Sequence, residues 1–352
     1  MYYVNYWKRI KPTLGGDPEK CAQEARNIIN TSTISSCTPY AVNMIAKNFK
    51  HGLWWNTDVY SKLNLDSDAA IPQPFLTEQY TMFKIPKSSG GFREIHAPSP
   101  ELKTLQKALA QHIIRDTKYL SHNAVHSQSR RNCKTAIEAH KKRGARFFLK
   151  LDIKDFFPSC TKDVVLKALD RMLNTAHLTD YAIRKALDIC FLNDALPQGS
   201  PCSPVISNIV MQHFDYEFNK WCAERHLCYT RYVDDLLISC ASPFDWREVE
   251  QIVSDMLPIT MELKRNKTRY GSCNGSNWNL GLMYNKDLEV TVGHRAKHTI
   301  KCAYHNLYRD RPEDFEAQLA SLIGLFQYFK YIEPEYFSKL ETVLNAKGYK
   351  TI

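Results

Sequence analysis

The sequence predicts an α+β fold, and three observations predict it. Strand-like and helix-like stretches mingle along the chain without a regular β-α-β repeat, which favours α+β over a doubly wound parallel sheet. The strand-like stretches are short and bounded by Gly, Pro or Ser turns. From about residue 295 the chain reads as helix to its end. A length of 352 residues suggests two or three subdomains rather than one small core.

Residues 1–75 mix helical stretches with "HGLWWNTDVY" (51–60), in which Trp54 and Trp55 read as packing residues, and carry no motif. "YTMFKIPKSSGGFREIHAPSP" (80–100) reads as two strands joined by a Ser/Gly turn at 88–91 and ended by Pro98 and Pro100. Over 101–118, Leu102, Leu105, Leu109 and Ile113 fall on one helical stripe. "RFFLKLDIKDFFP" (146–158) is strand-like and stops at Pro158. Thr161 is placed to cap a helix over 162–174, and a further helix covers about 179–192. "LPQGSPCSP" (196–204) is a Gly/Pro-broken loop feeding a helix of about 205–225. "RYVDDLLIS" (231–239) belongs to a hairpin, followed by a helix near 245–257. "WNLGLMYNKDLEVTVG" (278–293) holds short strands, and the helical C-terminal part breaks at Pro334.

Composition narrows the class. A hydrophobic fraction of 44% with 24% charged residues fits a soluble globular protein. No run of eighteen apolar residues occurs and the N-terminus lacks the apolar core of a signal peptide, so a cytoplasmic protein without membrane contact is expected. The eleven cysteines contain no C-x-x-C pair and read as reduced packing residues. Lys and Arg exceed Asp and Glu by ten. The excess gathers in "SRRNCK" (129–134), "HKKRGAR" (140–146) and "HRAKHTIKCAYHNLYRDR" (294–311). Basic clusters interleaved with aromatics suit a phosphate backbone with stacked bases, and Arg130, Arg131, Lys297 and Lys301 are the candidate contacts. His294, His298 and His305 lack the spacing of a metal motif and read as solvated or phosphate-facing.

The acidic residues are less ordinary. Asp152 ends an apolar strand, where an uncompensated carboxylate is costly. Either Lys150 or an arginine pairs with it, or a divalent cation does. Asp234 and Asp235 are adjacent, and neighbouring strand residues point to opposite faces. At the tip of a tight hairpin they can share one region, with Asp234 the main ligand. Beside the Asp152 strand, three carboxylates would converge and raise one another's pKa unless Mg²⁺ relieved the repulsion. Such an arrangement in a basic chain is what two-metal phosphoryl transfer needs.

"LDIKDFF", "LPQGSPCSP" and "YVDD" occur in an order and spacing that resemble reverse transcriptases. The resemblance extends over about residues 80–342. "KIPKSSGGFREI" is similar to the fingers hairpin that holds the incoming triphosphate, and "LKRNKT" (263–268) to the lysine-bearing segment after the catalytic hairpin. "LGLMYN" (280–285) resembles the primer grip, and "LIGLFQYFKYIEPEYFSKL" (322–340) the helical thumb of retron-type and defence-associated bacterial enzymes. The implied fold is a right-hand polymerase. Its parts would be an N-terminal extension over 1–75, fingers and palm over 76–292, and a helical thumb with tail over 293–352.

The resemblance also implies roles. Asp152 and Asp234 would be the indispensable metal ligands, Asp235 a less direct one, and Ile153 would lend its backbone carbonyl. Two Mg²⁺ ions are implied, for which Mn²⁺ can stand in. Arg93 would contact the triphosphate, with Lys87 a weaker partner. Gln198 and Gly199 would pack against the templating base pair, and Lys267 would donate a proton to departing pyrophosphate. Phe157 would lie under the ribose and exclude a 2′-hydroxyl, which favours deoxynucleotides. The implied partners are a template non-coding RNA, dNTP substrates and the cDNA product, with an effector protein or a homo-oligomer conceivable.

The expected function is RNA-directed DNA synthesis on a partner non-coding RNA, in bacterial anti-phage defence. Retron and diversity-generating enzymes are the alternatives within the family. "TAIEAH" (135–140) departs from the retron Asn-Ala-x-x-His element and "VTVG" (290–293) from Val-Thr-Gly, while the intact "QGSPCSP" loop argues against a diversity-generating enzyme. A polymerase-shaped RNA-binding protein with little catalysis would have no need of the clustered carboxylates. An RNA-directed RNA polymerase is disfavoured by Phe157. Priming stays open among an RNA hydroxyl and a protein tyrosine such as Tyr2, Tyr3 or Tyr349.

Overall fold

A computed structural model describes residues 73–87, 90–117, 124–127, 131–172, 187–273, 278, 281–285 and 287–351. Residues 1–72, with Trp54, Trp55, Tyr2 and Tyr3, lie outside the described residues, as does most of the helix expected over 179–192. In chain order the described elements begin with α1 (Gln73–Glu78), β1 (Tyr80–Pro86), β2 (Phe92–Pro98), α2 (Pro100–Thr117), α3 (Cys133–Lys142) and β3 (Phe147–Asp152). There follow α4 (Phe156–Ser159), α5 (Lys162–Met172), α6 (Ser203–Val210), α7 (Gln212–Glu224), β4 (Cys228–Tyr232), β5 (Asp235–Cys240) and α8 (Trp246–Met256). The chain ends with β6 (Arg269–Ser272), β7 (Met283–Tyr284), β8 (Val290–Thr291), α9 (Gly293–Asp310), α10 (Phe315–Ile332) and α11 (Pro334–Ala346). Helices with antiparallel sheets make the α+β class expected from the sequence. Their described residues form two compact units, one lying within 73–129, 153–217 and 254–262, the other within 130–152, 218–253 and 263–351.

In the first unit β1 and β2 form an antiparallel hairpin in the register Ile85↔Arg93. Gly90 and Gly91 take φ of 86° and 77° in its turn, a conformation that glycine adopts without steric cost. Ser99 caps α2, its hydroxyl accepting from the Leu102 amide, and Pro100 fits the first helical turn. Leu102, Leu105 and Leu109 are buried along α2 as the stripe predicts, and α6 packs against both α2 and α5 in this unit. The strand expected to reach Pro158 instead ends at Asp152. Asp155 turns the chain at φ 42°, and Pro158 falls in a single helical turn, where its missing N–H costs no hydrogen bond. The helix expected over 205–225 is interrupted at Met211, whose amide still bonds the Ser207 carbonyl.

The second unit is built on a four-stranded antiparallel sheet ordered β4-β5-β3-β6. Phe148, Leu149 and Leu151 of β3 are fully buried, as suits an inner strand paired on both edges by β5 and β6. Phe148 stacks on Trp278 with ring centroids 5.3 Å apart. α9, α10 and α11 bury Tyr304, Phe326 and Phe337 edge to face. Pro334 opens α11, where the sequence places the break, and Arg311 at φ 42° adds a second break before α10. Among the described residues no helix is long and apolar enough to cross a membrane.

Candidate active site

The carboxylates expected to act together all belong to the second unit. β3 is paired with β5 so that Asp152 stands directly opposite Asp235. β4 and β5 close through the two residues Val233 and Asp234, since Tyr232 pairs with Asp235. Like charges opposed across a ladder destabilise it unless they are compensated. Two lysines compensate them. Lys150, two residues before Asp152 on β3, donates to Asp235 Oδ2 at 2.8 Å. Lys267, in the short 3₁₀ turn Arg265–Lys267, donates to Asp152 Oδ2 at 2.7 Å. The Lys264 amide also donates to the Asp152 backbone carbonyl at 2.7 Å, which fastens this turn to the end of β3.

Asp234 makes no lysine ion pair among the described residues, and its chemistry differs accordingly. Burial, and then the Asp235 charge with a smaller share from Asp152, push its pKa up to about 6, against the opposing effects of its own backbone amide and Lys267. That mutual influence places all three carboxylates in one electrostatic group. Among the described residues, however, no three acidic, His or Cys side chains stand close enough to hold an ion as they are. Asp152 and Asp235 are turned onto ammonium groups, which occupy the oxygens a cation would take. Hard carboxylate oxygens are the donor type that Mg²⁺ and Mn²⁺ accept, so the residue chemistry fits such an ion. Lys267, expected to act as a proton donor, serves here as the counter-ion of Asp152.

Two residues that sequence reasoning passed over hold this hairpin. Arg231 is fully buried, and its Nη1 donates to the Val233 carbonyl at 2.9 Å. His140 on α3 is also fully buried, with Nδ1 2.6 Å from Ser239 Oγ and Nε2 2.8 Å from Thr230 Oγ1. It thereby ties both arms of the hairpin to α3. The signal for Arg231 was a charged residue at an inward position of an apolar strand, which demands a partner.

The remaining expected residues are distributed as follows. In the first unit, Arg93 and Lys87 are exposed on and just after the β1–β2 strands, and the Lys87 amide bonds the Gly91 carbonyl at 3.0 Å. The Gln198 carbonyl accepts from the His96 amide at 2.8 Å. Gly199 takes φ 126°, and a Cβ there would lie 2.6 Å from the His96 carbonyl oxygen, so the close approach requiring glycine is already made to β2. Ser200 donates to Gln106 Oε1 at 2.9 Å, while Gln106 Nε2 reaches Tyr80 Oη and the Ile189 carbonyl, both at 2.7 Å. Phe156 is core and Phe157 half-buried, with rings 5.5 Å apart. The Ile153 side chain is buried. In the second unit, Arg131 is half-buried, and burial lowers its pKa. Lys297 is ion-paired with Glu333 and lies 4.2 Å from the Tyr336 ring centroid. Lys301 is exposed. Arg130 lies outside the described residues.

Comparison with known proteins identifies the family. Residues 85–298, more than half of the chain, match the family model described as reverse transcriptase (RNA-dependent DNA polymerase). The chain is 26% identical over 289 residues to the retron Ec83 reverse transcriptase of Escherichia coli, covering 78% of this chain and 89% of that protein. It is 30% identical over 284 residues to the retron Mx65 reverse transcriptase of Myxococcus xanthus, covering 76% and 65% of the two chains. Among solved structures, telomerase from Candida albicans superposes with a TM-score of 0.46 at 14% identity, covering 80% of this chain and 60% of that one. The opposed aspartates, the two-residue hairpin and the matched family model lead to one statement: this chain belongs to the reverse transcriptase family and is an RNA-directed DNA polymerase.

Proposed function

We propose that the protein copies a dedicated non-coding RNA into DNA, in bacterial anti-phage defence. The observation that carries the catalytic part is the register placing Asp152 opposite Asp235 beside Asp234, with Lys267 on Asp152. Asp152, Asp234 and Asp235, with the Ile153 carbonyl, are the residues that would hold two divalent ions, Mg²⁺ or Mn²⁺ in its place. Such ions supply activation of the primer 3′-hydroxyl and stabilisation of the triphosphate charge.

The chain's own residues do the rest. Arg93, assisted by Lys87, clamps the triphosphate with a planar fork of donors. Gln198 and Gly199 support the templating pair from a loop anchored to β2. Phe157 turns away a ribonucleotide's 2′-hydroxyl. Lys267 gives up its proton to the departing pyrophosphate, a role suited to an ammonium that already stands on Asp152. In-line attack then depends mainly on positioning and electrostatics. Arg130, Arg131, Lys297 and Lys301 are assigned to nucleic acid. Residues 1–75 bind the RNA or a partner such as an effector protein or second copy, 76–292 form fingers and palm, and 293–352 the thumb.

A retron reading is the second one, favoured by relatives that carry the retron name. Against it, the local stand-ins for retron elements are used internally. His140 is enclosed by two hydroxyls, and Thr291 donates to Glu333 Oε2 at 2.8 Å. The test is to purify the protein with its RNA, add Mg²⁺ and the four dNTPs, and sequence both nucleic acids beside Asp234→Ala. One bound RNA and a defined, Asp234-dependent cDNA are expected, and the 5′ end of the cDNA reveals the primer. Mixed RNA without DNA would overturn the proposal.

A further inference from the structure

The turn that presents Asp234 is under backbone strain. Val233 takes φ 59° at the first central position of the two-residue hairpin. Two-residue hairpins with positive φ at that position favour glycine, and a β-branched residue there is a true outlier. Conformations of this kind persist only where the surroundings over-determine them. Here the surroundings include a buried guanidinium. Arg231 Nη1 donates to the Val233 carbonyl, which belongs to the same peptide unit as the Asp234 amide. Asp234 starts at that amide, so the orientation of this peptide plane sets where its Cα and its carboxylate begin. One rigid plane therefore links the guanidinium to the backbone of the residue that carries the carboxylate.

We infer that Arg231 is a positioning residue for DNA synthesis: it holds the strained Val233–Asp234 peptide plane, and through it the direction of the Asp234 carboxylate. The inference rests on the proposed role of Asp234 as the principal carboxylate. The fork matters as well as the charge. A lysine at 231 keeps the positive charge but gathers its donors on one flexible ammonium in place of a planar fork. Glycine at 233 removes the strain that the guanidinium opposes.

The experiment compares wild type, Arg231→Lys, Val233→Gly, the double variant and Asp234→Ala. It reads melting temperature, Mn²⁺ binding by electron paramagnetic resonance, and single-dNTP kinetics. Arg231→Lys is expected to lower kcat about 10²-fold, the scale of a reacting group misplaced by about 1 Å, and to weaken Mn²⁺ binding, with KM for dNTP changed less than about twofold. The double variant should recover much of both losses, which a merely structural role of Arg231 would not allow. Val233→Gly alone should raise the melting temperature, and this holds the inference to account even if Arg231→Lys does not fold. Wild-type Mn²⁺ binding and kcat in a folded Arg231→Lys protein would overturn the inference, as would a lower melting temperature in Val233→Gly. DNA synthesis by Asp234→Ala would overturn both the inference and the reading beneath it, whereas its loss in Asp234→Ala beside an unaffected Arg231→Lys would overturn the inference alone.

Discussion

At the scale of single residues, the two lysines on the proposed catalytic carboxylates have separable duties. Lys150 is largely enclosed with Asp235, their side chains 21% and 13% exposed, so removing its ammonium leaves a carboxylate poorly solvated. Lys267 is 45% exposed and free to exchange partners. Lys267→Ala is therefore expected to lower kcat about 10²-fold, the low end for a lost general acid, while the melting temperature stays within a few degrees. Single-turnover incorporation of one dNTP checks it, and an unchanged rate would reduce Lys267 to a counter-ion. Gly199 gives the opposite pattern. Gly199→Ala sets a Cβ against the His96 carbonyl oxygen in a left-handed conformation, so folding stability should fall by about 1–3 kcal/mol, measured by denaturant unfolding. A neutral substitution would mean that the loop can leave β2 without penalty. The glycine was legible in "LPQGSPCSP", but its reason was not: the sequence resemblance pointed to nucleic acid, whereas the contact that forbids a side chain is the chain's own backbone.

At the scale of elements, the β4–β5 hairpin depends on helix α3 for its placement. His140 satisfies hydroxyls on β4 and β5 together, and its ring tilts against Phe148 of β3 at 5.6 Å. His140→Phe keeps the ring but leaves the Thr230 and Ser239 hydroxyls buried without it, at a cost of about 1–3 kcal/mol each. The combination His140→Phe, Thr230→Val, Ser239→Ala replaces the whole polar set with apolar groups and should regain most of that stability, as read by thermal unfolding. If the triple variant is no more stable than the single one, the clamp is not what holds α3 to the hairpin. Elements of this type were readable in part. The β1–β2 hairpin follows from its Ser/Gly turn, the β4–β5 hairpin from the strand-like flanks of Asp234 and Asp235, and the helical C-terminal part with its break at Pro334 from its composition, while the break at Arg311 was not readable. The short turn Phe156–Ser159 was not readable, because "IKDFFP" has strand-like composition and only Asp155 at φ 42° diverts it. The polar clamps made by His140, Arg231 and Gln106 escaped for a related reason. Those of His140 and Gln106 join residues far apart in sequence, which no local period records, whereas Arg231 reaches the carbonyl two residues on, around the hairpin turn.

At the scale of the whole molecule, an excess of ten positive charges favours nucleic acid binding, but the charges are not equally available. Lys297 belongs to the basic run that sequence inspection marked for phosphate contact, yet its ammonium is ion-paired with Glu333 and set over Tyr336. Glu333 also accepts from Thr291, so the pair fastens the start of α9 to the junction of α10 and α11. Lys301, one helical turn on, is exposed. Affinity for single-stranded RNA should fall linearly with log salt, with a slope of about −0.7 per phosphate neutralised. Lys301→Ala should therefore flatten the slope by about 0.7 if that lysine neutralises one phosphate. Lys297→Ala should leave the slope nearly unchanged and lower the melting temperature, because it orphans Glu333 rather than a phosphate. Fluorescence anisotropy titrations across a salt series decide it. If Lys297→Ala flattens the slope and Lys301→Ala does not, the ion pair opens to receive RNA, and Glu333 becomes the residue that controls when it does.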